Sequence, residues 1–393
     1  MVPKGWKIVT LKDLLDGQIK NGYSPNATDS ETGYWVLSLG ALADEGINSS
    51  GIKPVLPEEK VLQNLLKKDD FLVSRSNTPD KVGRSIRFKN EIENCSYPDL
   101  MMRFRIDDTK ADKEFIEQQL KSSTVRAYFK NCAAGSSSTM VKINKGILEK
   151  TPIVVPPIKE QKKIAQVLFA WDKAIAATEK LLTNSQQQKK ALMQQLLTGK
   201  KRLLDENGER FSGEWRNSTL SMFCNIAKGK ALSASDLEVG DFPVIAGGKI
   251  SPYSHSDYTH ENVVTVSASG AYAGYISYHN YKIWASDCSV VSAKADNLID
   301  YFYQLLLSLQ DKIYSLQSGG AQPHIYPKDL NSIPLWVPCV KEQQKIATVL
   351  SAADAEISTL EKKLACLRDE KKALMQQLLT GKRRVKVDEA VAE

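Results

Sequence analysis

The twelve residues KKALMQQLLTGK occur twice, beginning at Lys189 and again at Lys371. The match extends upstream. At an offset of 182 residues, positions 159–200 align without a gap against 341–382, with 26 identities in 42 positions. A duplication of this kind commits the chain to an internally repeated architecture, so a fold suited to one copy must also serve the other.

In the second copy apolar residues fall at Ile346, Leu350, Ala353, Ile357, Leu360, Leu364, Leu367, Leu374 and Leu378. They alternate four and three apart, with only Lys371 interrupting, which is the a/d seam of a coiled coil. The first copy keeps the frame with Ile164, Leu168, Trp171, Ile175, Leu182, Leu192 and Leu196, but puts Thr178, Ser185 and Lys189 into it. Each segment starts after proline (Pro156-Pro157 or Pro338) and ends at Thr-Gly, where Gly199 or Gly381 can take the left-handed cap conformation. The spacing predicts two helices of roughly 39 residues, about 58 Å long at ~1.5 Å per residue.

A single apolar stripe of that length needs a partner, and the nearest is the duplicate helix. The 140 residues of positions 201–340 leave the end of the first helix and return to the start of the second. Antiparallel packing puts those two points side by side, so it is the expected arrangement, with a pseudo-twofold axis across the helices and one globular domain at each end. A plain dimerisation coiled coil would be simpler, but it leaves the duplicated domains unexplained.

The regions before each helix are also related. Trp6-x-x-x-Thr10-Leu11 corresponds to Trp215-x-x-x-Thr219-Leu220, and Ile19-x-x-Gly22 to Ile226-x-x-Gly229. β-prone runs follow in both: YWVLSL from Tyr34 and FPVIAG from Phe242, then FLVSRS from Phe71 and VVTVSAS from Val263. Helix-like stretches at 113–131 and 298–317, a Gly/Ser turn and a Pro-rich strand lead into each long helix.

The surface chemistry of the two halves differs. The first carries Arg75, Asn77, Lys81, Arg84, Arg87, Arg103 and Arg105, with Ser136 and Ser137 on its Gly/Ser turn. The second carries Lys228, Lys230, Lys249, Tyr253, His255, Ser269, Tyr272, Gln322 and His324. Arginine forks can read guanine edges or clamp phosphates, and Ser, Asn, Gln, His and Tyr on loops can hydrogen-bond base edges or phosphates. A solvated basic face is the simpler account of either cluster alone. Divergent polar loops on a repeated frame are what two readers of different sequences need.

Composition agrees without deciding. A formal charge of +7 over 393 residues leans towards an anionic partner. The start, MVPKGWKIVTLKDLL, has no apolar signal region, and no run reaches the ~18 apolar residues of a membrane span, so a cytoplasmic location is expected. The cysteines (Cys95, Cys132, Cys224, Cys288, Cys339 and Cys366) include no C-x-x-C pair and read as reduced thiols, neither a zinc site nor a disulfide framework.

The W-x-x-x-T-L openings, the doubled E-Q-x-K-I-A and L-L-T-G-K-x-R motifs and the DENGERFSGEW linker from Asp205 resemble the specificity subunit of type I restriction-modification enzymes. The resemblance runs to about Arg384. It implies an α+β chain: target recognition domains at 1–158 and 201–340, a central conserved helix at 159–200 and a distal one at 341–384, the helices forming an antiparallel coiled coil with pseudo-twofold symmetry. It further implies a non-catalytic subunit of an adenine-N6 methyltransferase and restriction complex. Each domain would read half of a bipartite double-stranded DNA target, and the coiled coil would set the spacing and dock two methyltransferase subunits. S-adenosylmethionine, ATP and Mg²⁺ would belong to those and to the restriction/translocase subunits, with no cofactor or metal bound by this chain.

Missing motifs agree. Pro156-Pro157 lies in V-P-P-I, not in the D/N/S-P-P-Y/F loop that clamps a flipped adenine, and no G-x-x-x-x-G-K-S/T loop is present. Pro98-Asp99 followed by Asp108-Thr109-Lys110 matches a nuclease-like P-D…D-x-K pattern, although Asp99 and Asp108 also suit turns and the second half has Ser286-Asp287 without the D-x-K. The tail at 385–393 has no evident core to join and is expected to fray.

Overall fold

A computed structural model describes residues 2–43, 46–137, 140–249, 253–319 and 322–387, the side chains of residues 136, 137 and 234 excepted. The two long helices span Ile158–Leu196 and Val340–Leu378. Each begins one residue earlier than the repeat predicts and stops short of Thr-Gly. Gly199 and Gly381 then adopt φ of +71° and +75°, and the turn closes through Lys201 N–H to the Gln195 carbonyl and Arg383 N–H to that of Gln377. A side chain at Gly381 would meet Pro3 at 2.4 Å, and one at Gly199 would come into contact with Trp215 at 3.4 Å.

The chain divides into two compact units, residues 1–179 with 363–393, and 180–362. Each takes a globular part together with a portion of both helices. In the first unit Glu160 pairs with Arg384, Asp172 with Lys371 and Glu179 with Arg368. In the second, Ser185 meets Glu356, Lys189 meets Asp354 and Arg202 meets Glu342. Numbers rise along one helix as they fall along the other, so within each unit the helices run antiparallel.

The predicted seam is buried or half-buried throughout. Its polar members are satisfied: Thr178 donates to the Ala174 carbonyl and Ser185 to Glu356. Ile164, Leu168, Leu378 and Leu379 belong to the same core as Trp6, Phe71 and Phe115, while Leu196, Leu197, Ile346 and Leu350 join the core of Phe223, Phe302 and Leu335. The seam therefore continues into each globular interior.

Both globular parts use one topology. In the first, the four-stranded antiparallel sheet runs Lys20–Asn21, Met101–Phe104, Phe71–Ser74, Ser85–Arg87. In the second it runs Cys224–Lys228, Cys288–Ala293, Val263–Ser267, Ile276–His279. Beside it, Trp35–Leu37 pairs parallel with Cys95–Ser96, as Phe242–Ile245 does with Trp284–Ala285. The strand after each W-x-x-x-T-L tryptophan closes the domain by pairing with the strand before the long helix: Lys7–Thr10 with Pro152–Val155, and Arg216–Thr219 with Pro334–Val337. The helix-like stretches break in two, as Lys113–Lys121 and Ser123–Cys132, and as Ile299–Ser308 and Gln310–Tyr314. In the first of these the break is at Ser122, an extended residue whose hydroxyl caps the Val125 N–H.

The doubled motifs now have physical reasons. The Gln of E-Q-x-K-I-A bridges the helix start to the domain. Gln161 donates to the Pro156 carbonyl and accepts from Asp112 N–H, and Gln343 does the same with Pro338 and Leu298. The Glu receives the Arg of L-L-T-G-K-x-R from the other copy. Gly22 and Gly229 are forced by backbone contact, since a Cβ would stand 2.2 Å from the Tyr97 carbonyl oxygen or 2.3 Å from that of Ser286.

Among the described residues no helix is long and apolar enough to cross a membrane. All six cysteines are free, and burial pushes the Cys95, Cys224 and Cys288 thiols up to about 12. Just before the tail Arg384 is held by Glu160, and Val385 packs on the core, while 388–393 lie outside the described residues.

Candidate nucleic-acid interface

In the second unit three loops meet at the end of the sheet where Cys288–Ala293 begins. Ser269 bridges to His324, Gly270 N–H reaches the Pro323 carbonyl and Ile325 N–H that of Ala268. Gly247 closes the third side, since a Cβ there would lie 3.1 Å from the Ser269 carbonyl oxygen and 3.3 Å from the Asp287 carboxylate. Asp287 accepts from the Ser269 hydroxyl. The Lys249 ammonium lies 5.4 Å from the Tyr272 ring centre and 5.3 Å from that of Tyr275, and His324 stacks on Tyr326 at 6.0 Å. Lys228 and Lys230 extend from the neighbouring strand, with Lys230 over Trp284 at 4.8 Å. Lys249, Ser269, Tyr272, Gln322 and His324 thus lie on loops that meet at this sheet end, together with Asp287 and Tyr326, and Lys228 and Lys230 flank Gly229, whose N–H reaches the Cys288 carbonyl. Tyr253 is 59% exposed on a neighbouring loop.

His255 does not fit its expected place. It is buried, its ring tilted against that of Trp284 with centres 4.3 Å apart, and Nδ1 accepts from Asp257 N–H at 2.9 Å. That leaves Nε2 as the protonated nitrogen, facing the Asp236 carbonyl at 3.3 Å. It holds the loop from within, its ring turned away from solvent.

The equivalent sheet end of the first unit brings together Ser24, Asp99, Arg75 and Asn77. Asp99 accepts from the Ser24 hydroxyl, and Arg75 is half-buried between Leu100 and Ile143, to which its backbone bonds. Asn77 pairs with Val141 and its amide donates to Ser74. Lys81 is exposed nearby in sequence, and Arg84 reaches the Leu42 carbonyl. Ser136 and Ser137 have side chains outside the described residues.

Arg87 and Arg103, expected on the surface, are internal. Arg87 is held by Asp69 at 2.6 Å, Glu117 at 3.0 Å and Glu114 at 3.4 Å. Burial opposes the Glu117 carboxylate, yet Lys121, Lys89 and Arg87 together keep its pKa below the ordinary value. Arg103 and Arg105 both turn to the fully buried Asp70, and Arg103 also covers the Tyr97 ring. The nuclease-like pattern dissolves similarly. Asp99 holds Ser24, Asp108 pairs with Lys113 and Lys110 pairs with Asp107. Among the described residues no cluster of three His, Cys, Asp or Glu could hold a metal.

Within the second sheet, His279 is buried between the Thr265 hydroxyl at 2.9 Å and the Tyr281 hydroxyl at 3.2 Å, and burial pushes its pKa down to about 4. Between pH ~6.5 and about 4 the unfolded chain takes up a proton that folded His279 refuses. Stability is therefore complete above that window and falls as pH drops through it, by about 3 kcal/mol. Urea unfolding at pH 7 and pH 4.5 should show a smaller acid loss for His279→Gln than for the unsubstituted protein. Equal losses would mean that His279 titrates normally.

The repeated halves of the chain match a known family. The family model for the type I restriction modification DNA specificity domain matches twice, at residues 3–184 and 212–367. The MjaVIII specificity subunit of a type I restriction enzyme from Methanocaldococcus jannaschii is 25% identical over 98% of this chain and 94% of its own. The EcoKI specificity subunit of Escherichia coli is 26% identical over 55% of this chain and 48% of its own. The crystal structure of a type I restriction-modification S subunit from M. genitalium superposes with a TM-score of 0.69 at 19% identity, covering 95% of this chain and 96% of that one. The chain, built twice on one frame from end to end, belongs to the family of type I restriction modification DNA specificity proteins.

Proposed function

We propose that each globular domain reads one half of a split DNA target, in a complex where the chemistry belongs to other subunits. The observation that carries this reading is a single frame presenting unlike loops. Sheet order, close-contact glycine and a serine-bonded aspartate repeat, while Arg75 and Asn77 stand at one sheet end and Lys249, Tyr272 and His324 at the other. A repeated frame alone would suit two copies of one ligand. Divergence of what it presents suits two different sequences.

In this reading 1–158 and 201–340 are the recognition domains, and the helices at 159–200 and 341–384 set the distance between half-sites. The helices also dock two methyltransferase subunits. About half of KKALMQQLLTGK is taken up by internal contacts, which narrows the docking surface to the residues exposed in both copies, Lys190, Ala191, Gln194, Gln195 and Lys200 and their duplicates Lys372, Ala373, Gln376, Gln377 and Lys382. S-adenosylmethionine, ATP and Mg²⁺ serve the partner subunits.

Sequencing methylated adenines in cells that express this chain with its modification subunits is the test. One split sequence is expected, and replacing 201–340 with the corresponding domain of a relative should change only one half of it. Methylation without sequence preference would overturn the reading. A coiled-coil scaffold lacking base contacts would instead lose all DNA binding together as salt rises, with no preferred sequence surviving.

A further inference from the structure

Two seam positions are occupied by lysine, each the first residue of the repeated string. Lys371 lies 2.5 Å from Oδ1 of Asp172, whose Oδ2 accepts from Gln118 Nε2 at 3.0 Å. Lys189 lies 2.5 Å from Oδ1 of Asp354, whose Oδ2 accepts from Gln304 Nε2 at 2.7 Å. Gln118 and Gln304 are 5% and 1% exposed, and the lysine side chains 16% and 13%. The glutamines stand on the domain helices Lys113–Lys121 and Ile299–Ser308, whose sequences otherwise differ widely. Each junction thus joins three separate elements: one long helix, the other, and the globular domain.

A junction of this kind is a poor source of stability. Desolvating a lysine and an aspartate offsets most of their attraction, and leucine at the same seam position would complete the heptad. Polar residues in a seam instead fix register. Here the third member lies outside the coil. Slipping one helix could find Lys371 another carboxylate, but it would separate Lys371 from the aspartate that Gln118 holds. Register of the helices and orientation of the domain are satisfied together or not at all.

We propose that Gln118, Asp172 and Lys371, and Gln304, Asp354 and Lys189, are positioning residues that key each recognition domain to one register of the helix pair and so confine the complex to one half-site spacing. This rests on the reading of the globular domains as half-site readers. No member of either junction touches DNA in this role.

The test uses the full chain with its modification subunits and reads methylation on a library in which the wild-type half-sites are separated by every spacer from three shorter to three longer. Lys189→Leu/Lys371→Leu should leave the thermal midpoint little changed, because Asp172 and Asp354 are 37% and 38% exposed and water can solvate them, while the preference for the correct spacer over its neighbours falls at least tenfold, with half-site sequences unchanged. Lys189→Arg/Lys371→Arg should retain the preference. If the leucine variant melts earlier, Gln118→Met/Gln304→Met decides, because it leaves both ion pairs intact and cuts only the link to the domains; the same broadening is expected. A single sharp spacer in a folded leucine or methionine variant overturns the proposal while leaving half-site reading intact. A wild-type complex that methylates no split sequence overturns both.

Discussion

Replacing Arg202 with methionine should destabilise the second unit by about 3–5 kcal/mol, the cost of leaving a buried charge without its partner. Glu342 is fully buried, and its two oxygens each receive a guanidinium nitrogen at 2.6 Å. No other side chain bonds it among the described residues, so loss of the fork leaves the carboxylate with nothing. The repeat supplies an internal comparison. Glu160 receives Arg384 at 3.0 and 2.6 Å, but also Trp6 Nε1 at 3.1 Å, and Arg384 is 48% exposed. Arg384→Met therefore leaves a partnered carboxylate and should cost about 1.5–3 kcal/mol less, roughly one charge-assisted hydrogen bond. Arg202→Met/Glu342→Leu should regain most of the loss, because apolar replacement of a buried pair is often neutral. Urea unfolding of the variants, resolved into separate transitions where the units unfold apart, checks the series. A loss below 1 kcal/mol for Arg202→Met would mean the pair behaves like a surface salt bridge.

These forks also explain what the sequence disclosed and what it withheld. The long helices were legible because seam periodicity is local: Ile346, Leu350 and Ile357 announce a face without reference to any other part of the chain. The strands at Phe71 and Val263 were legible for the same reason. The partnership of Glu160 with Arg384 was not, because its members are 224 positions apart and each motif alone resembles a charged helix end. Arg87 and Arg103 were misplaced on similar grounds. Asp69, Asp70 and Glu117 come to them only through sheet register and helix packing, at sequence separations of 18 to 33. His255 carries no local sign of the Trp284 ring that buries it. Conversely, the exact repetition of KKALMQQLLTGK has internal reasons that its sequence does not disclose: Lys189 and Lys371 meet aspartates, Leu197 and Leu379 enter the cores, and Gly199 and Gly381 turn against Trp215 and Pro3. The gathering of Lys249, Ser269 and His324 was foreseeable as chemistry but not as geometry, since only the shared sheet end brings 249, 269 and 324 together.

Lengthening both helices by one heptad, after Glu179 and after Lys362, should move the preferred half-site spacing outward by about three base pairs. Seven helical residues add about 10 Å, and stacked base pairs advance about 3.4 Å each. A heptad preserves the phase of the seam, so Ile164 to Ile175 and Leu364 to Leu378 keep their partners in the first unit, as Leu192, Leu196, Ile346 and Leu350 do in the second. The ion pairs follow, because Asp172–Lys371 and Lys189–Asp354 each lie wholly within one unit. Rotation is the harder constraint. Three base pairs turn the duplex by about 100°, since one turn takes 10–10.5 base pairs, while a heptad drifts an α-helix by only ~20°. The new optimum should therefore bind more weakly than the old one, with each half-site sequence unchanged. Inserting the heptad in one helix alone offers a control, since it must pull either Lys371 from Asp172 or Lys189 from Asp354 and should destabilise one unit instead of shifting the spacing. Methylation of a spacer library by the doubly lengthened subunit separates the outcomes: an optimum that stays where the wild-type protein has it would mean that the helices do not measure the distance between half-sites.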